Sequence, residues 1–223
     1  MDALKILLAD DHPLFRAALR LALYDVAPGA AVVEASSFAS LVEAVAANPE
    51  LDLILLDLTM PGAMGLSALV YLRSERPAIP VLVVSASDHP RTIRRTQQFG
   101  AAGFISKSTP LPEMQAAICA VMEGGECFPA VDAERDDADA RLAARLAQLT
   151  PQQLRVLMCV ADGLLNKQIA YELGAAENTI KVHVTAILRK LECNSRTQLA
   201  VLVKGLAPSG QVDSAEPSGS VAD

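Results

Sequence analysis

Five short apolar runs, each followed by an amphipathic segment, constrain the first 125 residues of this 223-residue chain more than any other feature. The runs lack strict alternation of polar and apolar side chains, which is typical of parallel strands covered on both faces. They are Leu4–Ala9, Ala31–Ala35, Leu51–Leu56, Pro80–Ser85 and Gly103–Ser106. Helices are predicted at Pro13–Tyr24, Phe38–Ala47, Gly65–Arg73, Pro90–Phe99 and Leu111–Met122. This alternation predicts an α/β fold with a doubly wound, five-stranded parallel sheet.

Chemically active side chains stand where these strands end. Asp10 and Asp11 follow the first strand, Asp57 ends the third, Ser85 ends the fourth and Lys107 follows the fifth. The carboxyl ends of parallel strands meet at one edge of a sheet, so these side chains should converge. Three neighbouring carboxylates repel one another, and their oxygen atoms suit Mg²⁺. A lysine and a hydroxyl could hold the oxygens of a phosphoryl group transferred to a carboxylate.

A simpler interpretation of an aspartate at a strand end is a helix cap. Asp10–Asp11–His12–Pro13 does have the form of a helix start. The agreement of all the positions at one predicted edge favours a site over a set of unrelated caps.

The stretches LLADDHPLFR, DLILLDLTMPGAMGL, VLVVSAS and GAAGFISKS resemble the receiver domain of bacterial response regulators, which is flavodoxin-like. The resemblance covers residues 4–124 and implies a role for each matching position. Asp57 matches the phosphoacceptor, and Ser85 and Phe104 match the switch hydroxyl and switch aromatic residue. Lys107 matches the phosphate-binding lysine. The implied Mg²⁺ ligands are Asp11, Asp57 and the backbone carbonyl of Thr59, with Asp10 acting through water.

Residues 149–203 predict a helix-turn-helix. Thr150–Pro151 begins a helix, Gly163 ends it, and Asn166 is expected to cap a short second helix. A longer helix is expected from about Glu177 to Leu191, with a basic face opposite its apolar one. This arrangement is typical of a recognition helix that enters the major groove of DNA, although a solvated basic face on an ordinary helical bundle would look similar.

The stretches LTPQQ, VLMCVADGLLNKQIAYEL, ENTIKVHVTAILRKL and SRTQLA are similar to the LuxR-type domain of NarL/FixJ response regulators. That resemblance implies DNA contacts by Lys181, Val182 and Thr185, and phosphate contacts by Lys167 and Arg189. It also implies that the receiver often masks the recognition helix until phosphorylation. The chain departs from the family where a serine N-cap, a basic residue and two glutamates are common; these positions hold Ala176, Thr185, Gln153 and Gln168.

Charge is unevenly distributed along the chain, whose net charge is −7. The predicted receiver, residues 1–125, and the predicted linker, residues 126–147, are both acidic. The predicted DNA-binding domain, residues 148–206, carries seven basic and four acidic side chains. Residues 207–223 are acidic and rich in Pro, Ser and Gly, which predicts a disordered tail. The basic segment is therefore the one with helix-turn-helix spacing.

No apolar run is long enough to span a bilayer, and the N-terminal sequence lacks the form of a signal peptide, so a cytoplasmic protein without membrane contact is expected. The four cysteines have no metal-ligand spacing and are interpreted as buried free thiols. Haloacid-dehalogenase phosphatases also form an aspartyl-phosphate, but they need a second Asp where Thr59 stands, so an enzyme is not expected.

Taken with the resemblance, these observations predict a phosphoprotein of a two-component system: a sensor histidine kinase phosphorylates Asp57, and a DNA-binding transcription regulator dimerises in response. Leu199 and Leu202 of the final helix are expected to form the seam between two copies. The alternative is a receiver-domain regulator controlled by protein contacts without phosphorylation. The complete set of pocket residues argues against that alternative.

Overall fold

The structure, a computed structural model, describes residues 3–131 and 137–206. Its N-terminal part is a five-stranded parallel sheet in the order β2-β1-β3-β4-β5. The strands are β1 (Lys5–Ala9), β2 (Ala31–Ala35), β3 (Leu53–Asp57), β4 (Val81–Ser85) and β5 (Gly103–Ser106). The predicted α/β doubly wound fold is therefore confirmed.

Five helices cover the two faces of the sheet, as the apolar character of the strands requires. They are α1 (Pro13–Val26), α2 (Phe38–Ala47), α3 (Ser67–Glu75), α4 (Pro90–Gln98) and α5 (Leu111–Met122). Helices α1 and α5 pack on one face, over side chains such as Ile6 and Leu8. Helices α2, α3 and α4 pack on the other, over alternate residues such as Leu7 and Leu56. The switch aromatic Phe104 is buried on this second face.

Helix α3 begins at Ser67, two residues after the predicted start at Gly65. Gly65 has a φ of 52°, a left-handed conformation that interrupts helical geometry and that glycine adopts more readily than other residues. The β3–α3 loop, residues 58–66, therefore extends to Leu66, the residue before α3.

The edge of β5 is paired with the chain that leaves α5. The Phe104 amide donates to the Cys127 carbonyl over 2.8 Å, and the Cys127 amide donates to the Ala102 carbonyl over 3.1 Å. This one-residue bridge between Gly103 and Cys127 is parallel. Residues 126–131 thus form a strap along the edge of the sheet.

Five further helices follow. They are α6 (Asp137–Leu146), α7 (Pro151–Ala161), α8 (Asn166–Glu172), α9 (Glu177–Lys190) and α10 (Arg196–Lys204). Thr150 caps α7, where a helix start was predicted, and Ser195 caps α10. The prediction that Asn166 caps α8 is wrong, because Leu165 occupies the N-cap position and its amide is bound by the Gln168 side chain. Helix α6 lies inside the predicted linker, whereas the predicted tail lies outside the described residues.

The helical part docks on the α3–α4 side of the receiver. Helix α7 contacts α3, and α6 contacts α4. Leu146, Leu149 and Leu206 are each nearly fully buried and belong to the same apolar cluster as the α3 side chains. The Ser74 hydroxyl donates to the Leu149 carbonyl across this interface. Across residues 3–131 and 137–206, no helix has both the length and the apolar character needed to cross a membrane.

Candidate functional site: an acidic pocket and an exposed helical groove

The strand ends bring the predicted acidic side chains together. Asp10 and Asp57 are each 1% exposed, and Asp11 lies beside them at the surface. The Lys107 ammonium lies 2.7 Å from Asp10 Oδ2 and 2.8 Å from Asp57 Oδ2. It also lies over the Phe15 ring. A single cation therefore bridges the two buried carboxylates of this pocket.

Asp57 is held from the loop that follows it. The Thr59 amide donates to Asp57 Oδ1 over 3.2 Å. The Thr59 hydroxyl lies 3.0 Å from Oδ1 and 2.9 Å from Oδ2 of the same carboxylate. The first residues of the β3–α3 loop thus fix the orientation of the Asp57 side chain.

The two predicted switch residues lie on β4 and β5, the two strands that follow β3 in the order of the sheet. Ser85 is fully buried, and it follows Val84, which is the register partner of Asp57. Phe104 pairs with Val83 in the next register and is 2% exposed. The Lys107 amide donates to the Ser85 carbonyl, which ties the end of β4 to the lysine.

His12 is a pocket residue that the sequence reasoning did not select. Its Nδ1 lies 2.8 Å from Asp11 Oδ1 and 3.3 Å from Asp10 Oδ1. His12 occupies the N-cap position of α1 but makes no side-chain cap there. The sequence signal for His12 was its position directly after two acidic residues. It was overlooked because this stretch also has the form of a helix start.

The donor set of this pocket fits a divalent cation. One ligand atom each from Asp10, Asp11, His12 and Asp57 lie within 4.8 Å of one another. Carboxylate oxygens are the protein ligands that Mg²⁺ prefers. Three carboxylates facing one lysine leave a negative charge that such an ion would neutralise.

The outer face of α9 forms an open groove in the helical part. Ile180 and Ile187 are fully buried, so the opposite side of α9 faces solvent. The groove is lined by Lys181, Val182, Thr185, Ala186 and Arg189. The structure thus brings together all the predicted DNA contacts except Lys167, which is exposed on the preceding helix α8.

Two residues near this groove have roles inside the domain. Lys190 donates to the Gln148 carbonyl and to Gln153 Oε1, each over 2.8 Å, and so ties α9 to the start of α7. Gln153 also accepts from the Thr150 amide as part of a capping box. Gln153 stands where the family often has a glutamate, and it still binds a cation, the Lys190 ammonium. By contrast, Ala176 leaves α9 without a side-chain cap, as the sequence indicated.

Comparison with known proteins gives a matching family for each of the two parts and relatives that match most of the chain. A family described as "Response regulator receiver domain" matches residues 6–119, and "Bacterial regulatory proteins, luxR family" matches residues 147–203. The Glycerol metabolism activator of Pseudomonas putida is 43% identical over 90% of this chain and 95% of its own. The nitrate/nitrite response regulator NarL of Escherichia coli is 36% identical over 89% of this chain and 94% of its own.

The chain belongs to the NarL/FixJ family of response regulators. It is a two-component transcription regulator with a LuxR-type DNA-binding domain, and a regulator without phosphorylation is not favoured. The family consists of DNA-binding transcription regulators.

Solved structures share the fold of this response regulator. The Salmonella typhimurium response regulator RcsB matches with a TM-score of 0.53 and 20% identity, over 92% of this chain and 100% of that one. A structure of two RcsB dimers bound to two parallel DNAs matches with a TM-score of 0.52 and 21% identity, over 91% of this chain and 98% of that one.

The receiver of this response regulator does not cover the exposed groove of α9. The family resemblance implied a masked recognition helix, but Val182 is 67% exposed and the α9 groove is open. The receiver contacts α6, α7 and the end of α10 instead. The expected dimer seam is also wrong at Leu199, which is fully buried within its own domain, while Val201 is 65% exposed.

The four cysteines of this response regulator are free, as expected. They are half-buried rather than buried. Burial raises the pKa of the Cys159 thiol to about 11, and the charges of Glu172 and Asp162 add to the effect. A thiol with such a pKa stays protonated near neutral pH, which makes it a poor nucleophile and metal ligand.

Proposed function

We propose that a sensor histidine kinase phosphorylates Asp57 and that this event controls DNA binding by α9. The observation that best supports this proposal is that the Lys107 ammonium lies 2.8 Å from Asp57 Oδ2, within an acidic cluster at the carboxyl edge of the sheet. An Asp57 oxygen attacks phosphorus while the bond to the kinase histidine breaks, and the imidazole leaves. The Lys107 ammonium then faces the phosphoryl oxygens.

The other pocket residues have proposed roles of their own. Asp10, Asp11, Asp57 and the Thr59 carbonyl would hold Mg²⁺, which neutralises charge on the phosphoryl group when bound. The Ser85 hydroxyl would receive a phosphoryl oxygen, and Phe104 would repack in response. Because Thr59 supplies no carboxylic acid, we propose that the chain is not an enzyme for an external substrate.

The α1 surface supports a kinase as partner. Leu14, Leu21 and Tyr24 are 89%, 57% and 76% exposed. They lie on the helix that directly follows Asp11 and His12, so a partner that docks there would reach the pocket. Exposed apolar side chains grouped beside a reactive site are typical of a docking surface.

We propose that α9 reads DNA through Lys181, Val182 and Thr185, with Lys167 and Arg189 on phosphates. The exposed groove and the positive charge of the domain support this assignment. The relative RcsB is known as dimers bound to DNA, and we propose a homodimer here as well.

We also propose four units along the chain. They are a receiver at residues 1–125, a linker at 126–147, a DNA-binding domain at 148–206 and a tail at 207–223. The proposed location of the protein is the cytoplasm.

Labelling with a small phosphodonor tests this function. Acetyl phosphate with Mg²⁺ should label the wild-type chain at one acid-stable, hydroxylamine-sensitive site, and EDTA should abolish the label. Asp57→Ala should remove the label, whereas Asp88→Ala, which replaces an exposed aspartate outside the pocket, should retain it. Full labelling of Asp57→Ala would overturn the assignment.

A further inference from the structure

A cleft of about 480 Å³ lies between α6 and the receiver. Its receiver side is formed by the ends of α3 and α4, and its other side is formed by a face of α6. None of the described residues that line it belongs to the acidic pocket or to the α9 groove. Binding sites for small molecules typically have volumes of about 300–1,000 Å³ and often lie between domains. The cleft therefore has the size and the location of such a site.

The walls of this cleft are mostly apolar. On the receiver side, Val70 and Phe99 are each 6% exposed. On the opposite side, α6 contributes Ala140, Ala143 and Ala144. A methyl group extends only one carbon from the backbone, so these alanines border the space without filling it. An apolar ring or chain in the cleft would lose water and gain contacts on both walls.

Gln98 and Arg73 supply polar groups at the same cleft. Gln98 Oε1 is buried, and no described group donates a hydrogen bond to it. Buried oxygen atoms without a partner are uncommon, and this one could accept from a hydroxyl or amide group of a ligand. Arg73 Nη1 donates to the Ile79 carbonyl over 3.0 Å. A guanidinium has five N–H groups, so this bond leaves donors for an anion.

The charge of the cleft favours an anionic ligand. Arg73 is the one charged side chain among the described residues that line it. Asp139 lies on the same helix as the alanines, but its carboxylate is 3.1 Å from Arg95 Nε and is not part of the lining. A carboxylate in the cleft would therefore pair with Arg73, whereas a cation would be repelled by it.

We propose that this cleft binds a small carboxylic acid that has an apolar body and a hydroxyl or amide donor. The carboxylate pairs with Arg73, the donor bonds to Gln98 Oε1, and the apolar body lies between Phe99 and the alanines of α6. Such a ligand contacts the receiver and α6 at once, so it stabilises their docked arrangement. The chain thus receives a chemical signal that is separate from phosphorylation of Asp57.

Three matched probes test the ligand class, with binding to the full-length chain measured by calorimetry without a phosphodonor. The probe 4-hydroxybenzoate has all three features, benzoate lacks the hydroxyl group, and 4-hydroxybenzamidine has a cation in place of the carboxylate. We expect 4-hydroxybenzoate to bind about tenfold more tightly than benzoate, because benzoate leaves Gln98 Oε1 without a partner. The amidine should not bind. Equal binding of 4-hydroxybenzoate and the amidine, or no binding of 4-hydroxybenzoate, would overturn the inference.

Variants of the two walls test the location. Gln98→Leu removes the acceptor, so it should weaken binding of 4-hydroxybenzoate about tenfold and leave binding of benzoate unchanged. Ala144→Leu fills the cleft from α6 and should abolish binding of both acids.

Gln97→Leu is the matched control, because Gln97 is exposed on the same helix as Gln98 and does not line the cleft. It should bind both acids as the wild type does, and circular dichroism reports whether each variant is folded. Folded Gln98→Leu and Ala144→Leu chains that bind like Gln97→Leu would show that the acids bind elsewhere and would overturn the inference.

Discussion

Lys181 is the residue on α9 for which charge and position make the sharpest prediction. It is exposed in the groove, where it pairs with Glu177 at 3.0 Å. If it contacts a phosphate, Lys181→Ala should weaken binding equally on specific and scrambled duplexes and lower the salt slope by about one. If it reads a base, the loss should be about 1–3 kcal/mol and confined to the specific duplex.

Lys190→Ala is the control for this measurement, made by titration at several salt concentrations. It removes the same charge from the same helix, but its ammonium binds Gln148 and Gln153 inside the domain. It should lower the free energy of unfolding while leaving the salt slope nearly unchanged. Wild-type binding of both duplexes by folded Lys181→Ala would mean that another face of α9 meets DNA.

Single residues differ in how far sequence determines their place. Asp10, Asp57 and Lys107 could be assigned because their residue types carry the chemistry and parallel strands bring their ends together. His12 could not, because the direction of its ring depends on how α1 begins. Lys190 has the charge of a DNA contact, and only the packing of α9 against α7 determines that it turns inward.

At the scale of elements, the strap on β5 depends on a glycine. A Cβ at Gly103 would lie 2.6 Å from the Cys127 carbonyl oxygen and 2.8 Å from Leu82 Cδ1. Gly103→Ala should therefore push the strap away and cost about 1–3 kcal/mol, measured by urea unfolding. Ser106→Ala, at the far end of the same strand, removes only exposed hydrogen bonds to Ser108 and should cost less than about 1 kcal/mol. Equal stability of the two variants would mean that the strap contributes nothing.

Elements were predictable where periodicity and capping agree. β2, α2 and α5 have the predicted bounds, because turn residues or caps delimit each of them. The start of α3 was missed because Gly65 has a positive φ that composition does not reveal. The strap was missed because a bridge made by a single pair of residues leaves no periodic pattern in the sequence.

At the scale of the whole molecule, phosphorylation should change the state of assembly. Two recognition helices must lie about one duplex turn apart to read a dyad site, which requires two chains. Sedimentation of the wild type should show a heavier species after treatment with acetyl phosphate, and Asp57→Ala should stay light. A phosphorylated chain that remains monomeric both free and on dyad DNA would exclude this mechanism.

The arrangement of the two domains was beyond sequence reasoning. Charge distribution separates the acidic receiver from the basic DNA-binding domain, and it predicts which part meets DNA. The residues after α10 dock through the main-chain carbonyls of Gly205 and Leu206, which accept from Arg95 Nη1 and from the Leu66 amide. Every sequence possesses such carbonyls, so the sequence gives no sign of this contact. Family resemblance even favoured a different docked surface, the recognition helix.

The face of α6 that meets the receiver combines small and large side chains. Ala140 and Ala143 border an open cleft, whereas Leu146 is 1% exposed and Asp139 pairs with Arg95. Alanine buries little apolar area, so most of the hydrophobic free energy of this contact comes from leucine. Because a buried contact opens slowly, we expect the genetic response to lag behind formation of the acyl phosphate.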